Sequence, residues 1–142
     1  MTKTILVLCT GNSARSIMAE AYINQVGGGR WCAVSAGSKP TGRVNPLALA
    51  TLAEAGIAAP SQPRSKSWDE FAGPAAPALD VVLTVCDNAA NETCPHFPGP
   101  ARKTHMPFPD PAAVDGTEAE RLRAFKDVFA LMRPRLDALV AT

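Results

Sequence analysis

An α/β fold on a four-stranded parallel sheet is the architecture this sequence predicts, and three observations predict it. Thr4-Ile5-Leu6-Val7-Leu8 and Val81-Val82-Leu83-Thr84-Val85 are unbroken runs rich in apolar and β-branched residues, the pattern of strands buried on both faces. Stretches with apolar residues at three- and four-residue steps alternate with the strand-like runs, which implies right-handed crossovers and helices on both faces of one sheet. The first run leads through Cys9-Thr10-Gly11-Asn12-Ser13-Ala14-Arg15-Ser16 directly into a helical stretch. That turn therefore lies at the carboxyl rim, where open sheets of this kind bind ligands.

Taken in order, residues 3–8 form the first strand. Ser13 is expected to cap a helix over about 14–26, with Ile17, Met18, Ala21, Tyr22 and Val26 as its apolar positions and Gly27-Gly28-Gly29 as its end. Trp31 to Ala36 reads as the second strand, with Cys32 as a packed core residue. After a polar connection from Gly37 to Val44, Asn45 and Pro46 supply a cap and a preset first turn for a helix that Gly56 stops after Ala55. Residues 57–63 read as coil, and Ser65 to Phe71 as a short helical turn capped by Ser67. Pro74 and Pro77 then break the chain. Asp80 to Val85 is the third strand and delivers Cys86 at its end. Residues 87–100, which include Cys94, mix Asn, Pro and Gly in a composition that denies them regular structure over most of their length. Arg102 to Met106 is a short final strand, leading to Phe108-Pro109-Asp110-Pro111 on another strand-end loop. Thr117 and Glu120 form a capping box. The stripe Leu122, Phe125, Val128, Phe129, Met132, Leu136 and Leu139 then closes the fold, with a kink expected at Pro134.

A chain of 142 residues buries roughly 68–70% of its unfolded surface as one domain, so residues 1–142 are read as a single domain. Lysine and arginine number 14 against 13 aspartate and glutamate. That balance provides no overall field to recruit nucleic acid or an anionic membrane. No segment approaches the ~18–20 apolar residues of a membrane span. The N-terminus runs directly into a strand rather than through a leader pattern, and a cytoplasmic location is expected. In a reducing compartment, the four cysteines argue for reactive or buried thiols rather than a disulfide framework.

The first turn carries the chemistry. Successive backbone N–H groups and a helix N-terminus make an anion cradle of Thr10, Gly11, Asn12, Ser13, Ala14 and Arg15. A thiol at its mouth is expected to ionise, since Cys pKa at such places falls from about 8.5 to roughly 3.5–7.5. Cys9 is thus the candidate nucleophile. The Arg15 fork can grip two oxygens, and Ser16 can donate to the thiolate. In a small parallel sheet the third strand runs near the first, so Cys86 can reach Cys9. Cys86, Cys94 and His96 together lack a fourth ligand and the usual spacing of a zinc site.

The Cys-x5-Arg-Ser pattern near the N-terminus resembles the phosphate loop of the low-molecular-weight tyrosine phosphatase superfamily. Further stretches sharpen the likeness to its thioredoxin-coupled arsenate reductases. They are Ser35-Ala36-Gly37-Ser38, Thr41-Gly42-Arg43-Val44-Asn45-Pro46, Arg64-Ser65-Lys66-Ser67-Trp68, Val85-Cys86-Asp87-Asn88-Ala89-Ala90 with Cys94-Pro95, and Pro109-Asp110-Pro111. The resemblance implies a flavodoxin-like three-layer sandwich of the phosphotyrosine phosphatase I type. It also implies arsenate as substrate, with phosphate or sulfate as competing anions. In the relay it implies, Cys9 attacks arsenate, Cys86 releases arsenite and Cys94 forms a final Cys86–Cys94 disulfide for thioredoxin to reduce. Asp110 is the expected proton donor. No tightly bound cofactor is expected, although Asn12, Glu20 and Ser35 resemble positions that hold a potassium ion in some relatives. The sequence departs from the family at Ala14, where some members carry a further cysteine, and at Met106-Pro107-Phe108, where many have Trp-Gly. Two alternatives use the same loop: a phosphatase working through Cys9, Arg15 and Asp110 alone, and an oxyanion sensor without turnover. A tyrosine phosphatase needs an aromatic-lined cleft, for which Trp68 and Phe108 are the nearby candidates.

Overall fold

The structure is a computed structural model that describes residues 2–59, 63–72, 76, 78–86 and 101–141. Four strands, β1 (Lys3–Leu8), β2 (Trp31–Ala36), β3 (Val81–Thr84) and β4 (Arg102–His105), make one sheet in the order β2-β1-β3-β4, with every pairing parallel. Three α-helices are present among the described residues: α1 (Arg15–Val26), α2 (Pro46–Glu54) and α3 (Glu118–Val140). This is the four-stranded parallel α/β sheet expected from the strand pattern, in the flavodoxin-like arrangement that the family resemblance implies.

Central strands are the apolar ones. Ile5 to Leu8 of β1 and all of β3 are buried, whereas edge strand β4 carries the polar sequence Arg-Lys-Thr-His and is largely exposed. Asp80 pins the β1–β3 register from the side, since Thr4 N–H donates to Asp80 Oδ2 at 2.8 Å and Asp80 N–H to Thr4 O at 2.9 Å. The chain leaves β1 to place β2 on one side and later returns to place β3 on the other. The loops after β1 and β3 therefore diverge at a topological switch point, and the site lies there.

The helix boundaries follow the caps. Asn45 Oδ1 accepts from Leu47 N–H at 2.9 Å with Pro46 in the first turn, and Ser67 Oγ accepts from Asp69 N–H to start a 3-10 turn at Trp68–Phe71. Thr117 and Glu120 form both bonds of the capping box, and α3 continues through Pro134 to Val140. Its stripe is buried from Phe125 to Leu139, with Leu122 half-buried. Tyr22 OH to Asp137 (2.6 Å) and Trp31 Nε1 to Val140 O (3.0 Å) tie α3 to α1 and β2.

Two expectations fail here. Cys32 is exposed rather than packed, because β2 is an edge strand whose burial alternates, with Trp31 and Ala33 inside and Cys32 out. Ser13 does not cap α1. The helix begins at Arg15 after Ala14, and no side chain caps it. An uncapped N-terminus keeps its first N–H donors available for an external anion.

Candidate active site

Residues 9–14 curl into a loop whose shape is dictated from outside. Thr10 O accepts from Lys39 N–H (3.0 Å), Gly11 O from Thr41 N–H (3.1 Å) and Ser65 Oγ (2.8 Å), and Ser13 O from Asn45 N–H (2.9 Å). A trans peptide directs each C=O and the next N–H to opposite sides. With those three carbonyls turned outward, the amides of Gly11, Asn12 and Ala14 face inward. The cradle expected from sequence is therefore enforced by two segments, 37–45 and 65–66, that sequence reasoning had matched to a family without assigning them work.

Asn12 is the strained member, at φ 45 in the left-handed region and fully buried. Its side chain holds it there. Oδ1 accepts from Lys66 N–H (2.9 Å), while Nδ2 donates to Ser16 Oγ (2.9 Å) and Ser35 Oγ (3.0 Å). Ser35 in turn donates to Glu20 Oε1. Ser16 therefore serves the loop through Asn12, and the bond expected from it to Cys9 is not made. Gly37 has no alternative as a residue: a Cβ there lies 2.4 Å from Thr10 O and 2.7 Å from Cys9 O.

Cys9 and Cys86 are both buried and hydrogen-bonded to each other. The β1–β3 pairing brings them together, with Leu8 beside Thr84 and Val85 N–H donating to Leu8 O at 3.0 Å. Thr10 N–H lies 3.3 Å from Cys86 Sγ as a donor to it, and the Thr10 hydroxyl is at 3.6 Å. This changes the expected ionisation. The hydrogen bond with Cys86 and then burial push the Cys9 thiol up, against the lowering effects of Arg15 and the Thr10 N–H. The second thiol, absent from a count of loop donors, is the largest of these influences on Cys9.

Arg15, on the first turn of α1, crosses the mouth of the loop. Its Nη1 donates to Phe108 O at 2.9 Å and its Nη2 lies 3.8 Å from Asp110 Oδ2. Asp110 is 46% exposed, and its Oδ1 accepts from Ala112 N–H at 3.0 Å. Phe108 N–H donates to Val85 O, so the Asp110 loop is anchored to the strand that carries Cys86.

A cleft of about 190 Å³ is lined by Cys9, Gly11, Asn12, Ser13, Ala14, Arg15, Thr41, Asp110 and Ala112. Among the described residues, no aromatic side chain lines it. Phe108 is buried and Trp68 half-buried, neither lining the cleft. Drug-sized ligands occupy sites of roughly 300–1,000 Å³. A cleft this small suits a free tetrahedral oxyanion better than an aryl ester. The structure thus brings together Cys9, residues 10–15, Cys86 and Asp110, whereas Cys94 lies outside the described residues.

Fold and loop define a class: proteins that receive a tetrahedral oxyanion at the end of the first strand and attack it with a thiol. Comparison with known proteins narrows it. The low molecular weight phosphotyrosine protein phosphatase model matches residues 4–142, and the chain belongs to that family. It is 38% identical over 140 residues to an arsenate reductase of Bacillus subtilis, covering 99% of this chain and 96% of that one. To an arsenate reductase of Bacillus licheniformis it is 39% identical over 126 residues, covering 89% and 86%. A crystal structure of arsenate reductase from Archaeoglobus fulgidus matches it with a TM-score of 0.74 at 29% identity, covering 97% of this chain and 99% of that one.

Proposed function

We propose that this protein reduces arsenate to arsenite. The observation that carries the reading is that Cys9, which lines the small cleft, is hydrogen-bonded to a second buried thiol, Cys86, directly behind it. A phosphatase of this family needs one thiol and an acid, whereas a two-electron reduction needs a second thiol within reach of the first. The curated relatives at 38–39% identity are named arsenate reductase, which supports the same choice.

In this reading the inward amides and Arg15 bind arsenate, and Cys9, having given up its proton, attacks arsenic. A sulfur–arsenic bond forms and an arsenic–oxygen bond breaks, with Asp110 protonating the departing oxygen. Acid assistance of this kind is worth about 10²–10⁴-fold. The Cys86 thiolate then attacks the Cys9 sulfur. A disulfide forms, the sulfur–arsenic pair of electrons stays with arsenic, and arsenite leaves. Cys94 next attacks Cys86, which frees Cys9 and leaves the Cys86–Cys94 disulfide for thioredoxin. An intramolecular thiol acts at a high effective molarity, which favours the relay over attack by solvent thiols. Phosphate and sulfate compete for the loop. No helix among the described residues is long and apolar enough to cross a membrane. A compartment that keeps thiols reduced, such as the cytoplasm, suits this chemistry.

The test is arsenate-dependent NADPH consumption with thioredoxin and thioredoxin reductase, run beside glutathione with glutaredoxin. Turnover with the first system supports the whole proposal. Turnover with neither, while p-nitrophenyl phosphate is hydrolysed, would replace it with the phosphatase reading.

A further inference from the structure

The stretch Thr41-Gly42-Arg43-Val44-Asn45-Pro46 does more than hold loop carbonyls. Beside the cleft lies a roomier cavity of about 460 Å³, whose lining includes Ser13, Thr41, Arg43, Glu118 and Arg121. Ser13 and Thr41 line the 190 Å³ cleft as well, so the two spaces share a wall. That wall is fixed to its surroundings. Thr41 N–H donates to Gly11 O at 3.1 Å and Asn45 N–H to Ser13 O at 2.9 Å. Thr41 Oγ1 donates to Arg43 O at 2.9 Å and accepts from Arg43 N–H at 3.3 Å, which ties the root of Arg43 to the same wall.

The cavity carries uncommitted positive charge. Among the described residues, neither the Arg43 nor the Arg121 guanidinium has a hydrogen bond or an ion pair, whereas Arg64 and Arg123 are paired with Glu70 and Asp127. Glu118 is the carboxylate that lines the cavity with them. The chain as a whole has no comparable excess, with 14 basic against 13 acidic residues. The start of α2 does not supply the charge, because Leu47 N–H is taken by Asn45 Oδ1, Ala48 N–H by Asn45 O, and Pro46 has none. Arg43 is exposed and Arg121 half-buried, and hydrated cations of this kind hold a partner weakly. Such a cavity suits collecting anions and passing them on rather than retaining them.

We infer that this cavity is an antechamber for the oxyanion: Arg43 and Arg121 gather anions beside the loop and raise the rate at which they reach Cys9. Clefts lined by an excess of one charge focus their field and raise the local concentration of the opposite ion. The Debye length at 0.1 M salt is about 10 Å, so charges in an adjoining cavity still act across a shared wall. Glu118 works against them. The inference rests on the loop as the place where the anion is received, and not on what the protein then does to it.

The experiment compares alkylation of Cys9 by iodoacetate, an anion, and by iodoacetamide, its neutral counterpart, with peptide mapping to count only Cys9. Dividing one rate by the other removes any change in how far the thiol is ionised. It needs no turnover, so it stands apart from the test of arsenate reduction. At low salt the ratio for Arg43→Gln combined with Arg121→Gln should fall about three- to tenfold, a modest share of the 10–10³ that focusing by a charged cleft is worth. The ratio should rise about twofold for Glu118→Gln, stay near wild type for Arg43→Lys combined with Arg121→Lys, and become the same for all four proteins at 0.5 M salt. Cys32, exposed on edge strand β2, serves as the internal reference and should show no change. An unchanged ratio in the double glutamine variant overturns the inference. So does an equal fall in the double lysine variant, which would mean direct gripping by guanidinium geometry, or an equal fall at Cys32, which would mean a field of the whole molecule.

Discussion

The two sides of the cleft are built differently. On the Cys9 side, Asn12 is fully buried, and Thr10, Gly11 and Ser13 have their carbonyls bonded to neighbouring segments. On the Asp110 side, the carboxylate is 46% exposed, and what reaches it is the Arg15 guanidinium at 3.8 Å and the Ala112 amide. The first side is over-determined, as a backbone conformation with a left-handed asparagine must be. The second is a side chain on a loop, held at its root by Phe108, whose ring lies under the Arg135 guanidinium at 5.6 Å. The contrast separates tasks. In the proposed reaction, binding falls to the preordered side and proton delivery to the exposed one.

The largest effect should come from the group that joins the two sides. Cys86→Ala should abolish arsenate turnover while sparing p-nitrophenyl phosphate hydrolysis, because ester cleavage needs Cys9 and Arg15 but no second thiol. It should also lower the pH midpoint for Cys9 alkylation, since the first cause holding that thiol up is Cys86. A midpoint that stays or rises would show that the coupling between the sulfurs is not what sets Cys9 ionisation.

Next in size is a change on the preordered side. Gly37→Ala places a Cβ 2.4 Å from a loop carbonyl, where only backbone can move. Overpacking of this kind typically costs about 1–3 kcal/mol, occasionally more, and here the strain falls on Thr10 and Cys9. Denaturant unfolding should show a loss at the upper end of that range, with phosphate binding lost even where the protein remains folded. Normal phosphate affinity in a folded Gly37→Ala would break the claim that this side is over-determined.

Asp110→Asn probes the adjustable side. Rapid-quench single turnover should show the first step slowed by about 10²-fold, the lower end for acid catalysis, with phosphate affinity nearly unchanged. Equal rates would reduce Asp110 to a residue that caps the turn at Pro111–Ala113.

The same division governs what could be read from sequence. Strand ends were legible at β1 and β3 because apolar runs and β-branched residues report burial on both faces, and the caps at Asn45, Ser67 and Thr117 were legible because capping is local chemistry. Cys32 was misjudged since its exposure depends on β2 being at an edge, a property of strand order and not of its neighbours in the chain. Cys9 was expected to ionise freely because the donors around it are local, whereas the thiol that opposes them arrives from 77 positions later in the sequence. Ser65, Lys66 and Gly37 were visible as motif letters. Their work, a hydroxyl on the Gly11 carbonyl, a backbone N–H on the Asn12 side chain and a missing Cβ against Thr10, acts from distant segments and leaves no periodicity or spacing to read.

The smallest expected effect tests that outer layer one bond at a time. Ser65 Oγ donates to Gly11 O at 2.8 Å and accepts from Gly42 N–H at 3.2 Å, so it ties the loop to the turn at Gly42. Gly11 O keeps a second donor in Thr41 N–H, and Gly42 N–H lies at an exposed position where water can replace the serine. Ser65→Ala therefore strands no buried polar group, and the loss should be that of one ordinary hydrogen bond, about 0.5–1.5 kcal/mol. If the loop's shape is shared among many such bonds, phosphate affinity should fall only about two- to threefold, less than the full energy of the bond, because the remaining donors hold Gly11 in place. Titration calorimetry with phosphate, set beside urea unfolding of the same variant, measures both quantities. A tenfold or greater loss of affinity with little change in stability would mean that this one hydroxyl, rather than the layer as a whole, sets the direction of the Gly11 carbonyl, and the comparison between a distributed binding side and a singly held catalytic side would have to be redrawn.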